Sequence, residues 1–250
     1  MSEIDKKIKE WIEWPEEKEI TPPALPYKDK LVAFIDILGV KDKVAECGDD
    51  ALEIVTIMKQ VRTYVETECS TLVNENRLNS LQIGDGFFFV ANTDCINEIC
   101  RILSVVQWEV LISSQMLLRG ALTAGKVAVE YGEYFIGPAV IKALELESQN
   151  AIFPRIVYEN KKIEKYVKRK DVNFKYIIED QDKIKYLDFI GYNKDSAQLT
   201  VEKLEQLLTE LEVKKWLKEA YQKTVCDNKR AAQKYGWLIS KLAKHGAKII

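Results

Sequence analysis

Two apolar runs in this chain each end on a lone carboxylate, and that arrangement restricts the fold more than any other feature. Phe34-Ile35-Asp36-Ile37-Leu38-Gly39 closes one run and Ile83-Gly84-Asp85-Gly86 closes the other. Burying an aspartate beside Phe and Ile is costly unless a cation or several donors compensate it. Two such carboxylates can share hard divalent ions such as Mg²⁺ or Mn²⁺, which take oxygen ligands. The only histidine, His245, lies near the C-terminal end. Histidine triads and multi-histidine metal centres are therefore excluded.

The pattern of apolar residues predicts the elements around these carboxylates. Leu31 to Ile35 is a continuous apolar run, as in a strand buried on both faces, and Gly39 turns the chain toward a helix from about Ala51 to Thr67. Leu78 to Ile83 and Phe87 to Val90 flank Gly84-Asp85-Gly86 as a hairpin, although Asp85-Gly86 alone also reads as an ordinary turn. A helix over Cys95 to Ser114 and a strand over Leu117 to Val129 complete the order β, α, β, β, α, β. That order predicts an α/β (α+β) fold with a ferredoxin-like split βαβ core, in which Asp36 and Asp85 meet across neighbouring strands.

The rest of the chain divides around that core. Residues 3 to 13 carry Ile4, Ile8, Trp11 and Ile12 at helical spacing, and Pro22, Pro23 and Pro26 form an extended linker, so 1–28 reads as an N-terminal helix and linker. The core spans 29–150, with a short helix over Gly137 to Leu146. Region 151–195 is a strand and hairpin extension, with strands expected over Phe174 to Ile178 and Ile184 to Ile190. Region 196–250 is helical, with Val201, Leu204, Leu208 and Leu211 at heptad spacing and Tyr235, Trp237, Leu238 and Leu242 on a later face.

Composition narrows the function classes. With 250 residues and 47% hydrophobic content a sizeable core is expected, and a net charge of −2 with interspersed signs argues against a polynucleotide binder. Five cysteines without a CxxC pair read as reduced cytosolic thiols, Cys95 and Cys100 as buried small residues on a helix. A charged N-terminus and the lack of a long apolar run predict no signal peptide and no membrane span.

Phe34-Ile35-Asp36-Ile37-Leu38-Gly39-Val40 resembles the F-x-D-I-x-G-F metal motif of class III nucleotidyl cyclases, and Ile83-Gly84-Asp85 resembles their second metal motif. Arg119-Gly120-Ala121-Leu122-Thr123-Ala124-Gly125 is similar to the family's R-x-G-I-x-x-G strand, and Gly137-Pro138-Ala139-Val140-Ile141-Lys142-Ala143 to its G-x-x-V-N-x-A segment. The resemblance covers roughly residues 30 to 147. It implies that Asp36, Asp85 and the Ile37 carbonyl hold two Mn²⁺ or Mg²⁺ ions on a nucleoside triphosphate. The turn from Ile37 through Leu38 and Gly39 to Val40 would cradle phosphates, with Phe34 beside it. It also implies head-to-tail homodimers with sites at the interface.

Departures from the family pattern shift the expected substrate. The positions that read a purine in the family are Leu81 and Tyr134 here, and a Leu cannot donate to a purine acceptor. Tyr134 suits a smaller base, or is a core aromatic. The transition-state Asn and Arg of the family fall on Ile141 and Glu145, leaving Arg119, Lys126 and Lys142 as candidate substitutes. Arg119 can equally pair with a carboxylate such as Glu109, and Glu145 and Glu147 are expected to face solvent or a partner subunit. The segment through Ala143, Glu145 and Glu147 and the tail Lys234-Tyr235-Gly236-Trp237-Leu238 are similar to the bacterial Pycsar antiphage pyrimidine cyclases. That resemblance implies a cytoplasmic enzyme that converts CTP or UTP to the 3′,5′-cyclic monophosphate as a defence signal. Alternatives are a catalytically degenerate cyclase-like module and another palm-type two-metal enzyme, although no G-G-D-E-F is present.

Overall fold

The computed structural model describes residues 24–130, 134–168 and 172–249. The helix expected over residues 3 to 13, together with Pro22 and Pro23, lies outside them. The first described strand, β1 (Lys28–Leu38), sends successive side chains to opposite faces. Ala33, Ile35 and Ile37 enter the larger core on one face, and Val32 and Phe34 a smaller one on the other, which also carries Asp36.

After β1 come α1 (Val40–Cys47), α2 (Leu52–Asn74), the hairpin β2 (Leu78–Ile83) and β3 (Gly86–Asn92), α3 (Ile96–Ser114) and β4 (Leu117–Glu130). The split βαβ order is present: β1 lies between β3 and β4 and is antiparallel to both. The helices between β1 and β2 differ most from expectation. Helix α2 runs well past Thr67, because Cys69 and Leu72 continue its buried stripe. Helix α1 was not expected at all; it buries no residue, so it leaves no apolar periodicity to read, and it is bounded by Gly39 at φ 89° and Gly48 at φ 59°.

Strand β5 (Tyr134–Ile136) pairs with the last residues of β4, and α4 (Pro138–Asn150) follows. The chain continues through β6 (Ile156–Tyr158), α5 (Asn160–Tyr166), β7 (Ile177–Glu179), β8 (Lys185–Leu187), α6 (Phe189–Ser196), α7 (Val201–Glu210), α8 (Val213–Asp227) and α9 (Lys229–Lys244). The sheet order is β2-β3-β1-β4-β6-β8-β7, with β6 parallel to β4. Helices α2 and α3 cover one face, while Ala139 and Ala143 of α4 pack on Val32, Phe88 and Val127 of the other.

The later hairpin is shorter than its apolar runs suggested. Phe174–Tyr176 is a 3₁₀ turn, and the side chain of Asp188 accepts from the Gly191 amide to start α6 inside the second run. The heptad reading of α7 also fails at its ends: Leu204 and Leu208 are buried, whereas Val201 and Leu211 are exposed. Each falls at a terminus of a short helix, so α7 contributes one buried pair rather than a coiled-coil seam.

Helix α9 is tied to the sheet by a buried ionic junction. Asp180, just after β7, accepts from Arg155 (3.1 Å), from the Trp237 indole (2.6 Å) and from Lys241 (2.6 Å), and Arg155 is fully buried. Burial pushes the Asp180 carboxyl up, but bonds from Lys241, Trp237 and the Gln181 amide outweigh it and hold it at about 2. A depressed carboxylate contributes stability that is full above the ordinary aspartate range and is lost as pH falls through the folded value. Asp180→Ala is therefore expected to cost ~3 kcal/mol at pH 7, read by urea unfolding, because it leaves the buried Lys241 without its carboxylate, while Arg155 keeps Asp182. In the wild type the junction's contribution should hold from pH 7 to about 4 and fall away toward pH 2, a fall that the Ala variant should not show.

Candidate functional site

The register of β1 assembles a charged cluster at one end of the sheet. Asp36 stands opposite Gly86 on β3 and opposite Arg119 on β4. The hairpin turn is made by Gly84, at φ 62°, and Asp85, so Asp85 directly precedes the residue paired with Asp36. This differs from an Asp85-Gly86 turn, because Gly86 is already in the ladder. A side chain at Gly86 would meet the Phe34 ring at 2.6 Å, and one at Gly120 would meet the Phe34 carbonyl at 2.3 Å. Glycine at both positions lets β3 and β4 close on β1 beside Asp36.

Arg119 donates to Asp36 Oδ2 from Nε (3.2 Å) and from Nη2 (3.1 Å). Its Nε also lies 2.6 Å from Glu147 Oε1 on α4, whose side chain is only 7% exposed. Glu109 does not take part in these contacts, and Glu147 does not face solvent as expected. The reason lies in α4: Glu147 follows Ala139 and Ala143 at intervals of four, which places it on the face turned to the sheet. That interval was the readable signal, obscured by the charge of the residue. Glu145, off this stripe, pairs with Lys142 at the surface.

Burial, with the Asp85 charge added, pushes the Asp36 carboxyl up despite the opposing pull of Arg119. Burial likewise pushes Glu147 up, with Arg119 opposing and Asp36 reinforcing. One guanidinium thus leaves the carboxylates incompletely compensated. Lys234 of α9 adds a second cation; burial lowers its pKa first and Arg119 further, while Asp36 and Asp42 pull it back up. Among the described residues Lys234 makes no ion pair. The positions considered from sequence, Lys126 and Lys142, instead pair with Asp29 and Glu145.

The other expected site residues fall into separate groups. Leu81, Phe88, Phe34 and Ala121 form one cross-strand row, two residues along from the Asp36 row, with the Phe34 and Phe88 rings 4.6 Å apart. Ile37 sends its side chain into the opposite core, and Val40 packs against that core from α1. Leu38 and Gly39 line a half-open cleft of about 590 Å³ between α1 and the α8–α9 pair, floored by Trp216 and Tyr235. Tyr134 is 65% exposed, so it is no core residue, and it pairs with Glu130 at the far end of β4. Residues 119 and 130 are eleven steps apart, up to ~35 Å along a strand. Within one chain Tyr134 is therefore remote from Asp36.

Among the described residues no group of three His, Cys, Asp or Glu side chains is placed to hold a metal ion. The donor set nevertheless fits a divalent cation in part. The two oxygen donors are Asp36 and Asp85, which repel each other; Glu147 Oε1, a buried oxygen with no aligned hydrogen-bond partner, lies against Arg119 and is outside the donor set.

Comparison with solved structures finds catalytic domains of nucleotide cyclases. They include the monomeric guanylyl cyclase domain of the RhoGC fusion protein from the aquatic fungus Blastocladiella emersonii, at 16% identity over 64% of this chain and 94% of that one, TM-score 0.48. The guanylate cyclase domain of RhGC from Catenaria anguillulae, solved with GTP, aligns at 17% identity over 65% and 95%, TM-score 0.47. The adenylyl cyclase CyaB from P. aeruginosa aligns at 17% over 65% and 95%, TM-score 0.44. Protein-family models and curated proteins give no match. No helix among the described residues is long and apolar enough to cross a membrane.

The repulsion between Asp85 and Asp36 generates a stability prediction. Asp85→Asn should raise the melting temperature by ~1–4 °C without divalent cations at neutral pH, read by thermal denaturation. A carboxylate whose folded pKa is raised costs stability when ionised, so the gain should vanish at acid pH, where Asp36 holds its proton.

Proposed function

We propose that this chain is a nucleotide cyclase acting on a pyrimidine nucleoside triphosphate, CTP or UTP, as a homodimer. The observation that carries the reading is the meeting of Asp36, Arg119 and the Asp85 turn at one end of three adjacent strands, beside the uncapped first turn of α1. In the proposed reaction the ribose 3′-oxygen attacks the α-phosphorus, the bond to the β-phosphate oxygen breaks, and the hydroxyl proton passes to solvent. The products are the 3′,5′-cyclic monophosphate and pyrophosphate.

Asp36, Asp85 and the Ile37 carbonyl would hold two Mn²⁺ or Mg²⁺ ions, which when bound lower the pKa of the hydroxyl and neutralise the departing pyrophosphate. Backbone amides at Val40 and beyond face the phosphates from the start of α1, where Gly39 at φ 89° leaves no side chain in the way. Arg119 and Lys234 offset triphosphate charge from two sides. The row Leu81, Phe88 and Phe34 supplies an apolar wall without donors for a purine edge. Tyr134 serves the Asp36 site of another copy, in keeping with its distance from Asp36 along β4. Exposed Ile136, Ile141 and Leu144 near Tyr134 provide apolar surface for such a partner. In a bacterial cytoplasm the product would act as a defence signal.

A degenerate, non-catalytic module is the second reading, favoured by Arg119 already occupying Asp36 and by the exposure of Ile141 where the family's Asn would stand. Purified protein with all four nucleoside triphosphates and Mn²⁺ should yield cyclic CMP or cyclic UMP by mass spectrometry, and the absence of both would overturn the enzymatic reading. Asp36→Asn should reduce turnover by ~10³-fold or more, whereas Lys234→Met should chiefly raise KM. Mixing Asp36→Asn with Tyr134→Ala should restore activity through heterodimers. If the subunits exchange and every mixture stays inactive, the shared site is wrong.

A further inference from the structure

We infer that Glu147 is a positioning residue that takes over Arg119 when a divalent cation binds Asp36 and Asp85. The inference rests on the metal-dependent reading above and deepens it. Arg119 presents both Nε and Nη2 to the same oxygen, Asp36 Oδ2. Glu147 Oε1 sits closer to Nε, at 2.6 Å, yet the N–H is aimed at Asp36. Glu147 Oε1 is therefore a buried acceptor beside a guanidinium from which it receives no aligned bond, and it has no other partner among the described residues.

Arg119 occupies Oδ2 and leaves Oδ1 open, so the competition arises when the cation takes Asp36 through both oxygens and its charge weakens the arginine's hold on Oδ2. Arg119 then leaves Asp36. Lys234 repels it from the α9 side, and burial penalises an unpaired guanidinium. Re-aiming the Nε–H by a small rotation gives it to Glu147 across a contact that already exists. Arg119 remains charged and beside the site, facing the space where an anionic substrate would lie. Without Glu147 the displaced arginine has no anion of its own, and the cost of leaving it unpaired is charged to metal binding.

The test is a double-mutant cycle on Mn²⁺ affinity of the full chain without nucleotide, read by the electron paramagnetic resonance of free Mn²⁺. Arg119→Met removes the competitor and should bind Mn²⁺ about tenfold tighter than wild type, while Glu147→Gln should bind about tenfold weaker. The double variant should match Arg119→Met, because Glu147 acts only through the arginine. Equal weakening by Glu147→Gln in both backgrounds would reduce Glu147 to a nearby negative charge and overturn the proposal. So would an unchanged affinity in Glu147→Gln, or no Mn²⁺ binding by either wild type or Arg119→Met. If Glu147→Gln loses its near-ultraviolet circular dichroism, Glu147→Ala takes its place in the cycle. Product assays separate the two readings: the predicted coupling without cyclic nucleotide formation defeats only the cyclase, and cyclic nucleotide formation without the coupling defeats only the role of Glu147.

Discussion

A half-buried aspartate at the end of a central strand survives in this fold because an arginine stands directly opposite it on the next strand. The Asp36 to Arg119 contact is a consequence of register: shifting β4 by one residue would turn Arg119 to the other face and set the carboxylate against carbon. The same register requires Gly86 and Gly120, since side chains there would collide with Phe34. The backbone around Asp36 is closed tightly on both sides, and the charge it carries is answered by Arg119 and Lys234, with Glu147 on the far side of the arginine adding a second negative charge.

That convergence is electrostatically unbalanced. Burial and the neighbouring carboxylates raise Asp36 and Glu147 together, and Arg119 opposes both without cancelling either. Carboxylates held this way cost the fold stability while they are ionised. The row of Leu81, Phe88 and Phe34 beside it is, by contrast, apolar: Phe88 is buried, and Leu81 and Phe34 are half-buried next to the charges.

Much of this was legible in the chain itself. Continuous apolar runs marked β1 and β3, the placement of Asp36 and Asp85 at their ends set them on neighbouring strands, and the element order implied the split βαβ sheet. What was not legible has several causes, some local and some distant in sequence. Glu147 looked solvated because its charge outweighed its place on the Ala139 and Ala143 stripe, and Lys234 lies more than a hundred residues from the strands it faces. Helix α1 buries nothing and left no pattern, while the ends of β7, β8 and α7 were set by a capping aspartate and by helix termini rather than by hydrophobic content. Tyr134 proved exposed because it opens a short edge strand after β4, not because its neighbours are polar.

Helix α9 carries Lys234 at one point and Trp237 and Lys241 at another, and the latter two are fastened to Asp180. The sheet provides the acids, while an appended helix, anchored about two turns farther along, delivers a mobile-stemmed cation over them. Acids and cation therefore rest on separate supports. A substitution at Lys234 changes the charge beside Asp36 and leaves the strands and their acids untouched, so long as the Asp180 fastening keeps that turn of α9 in place.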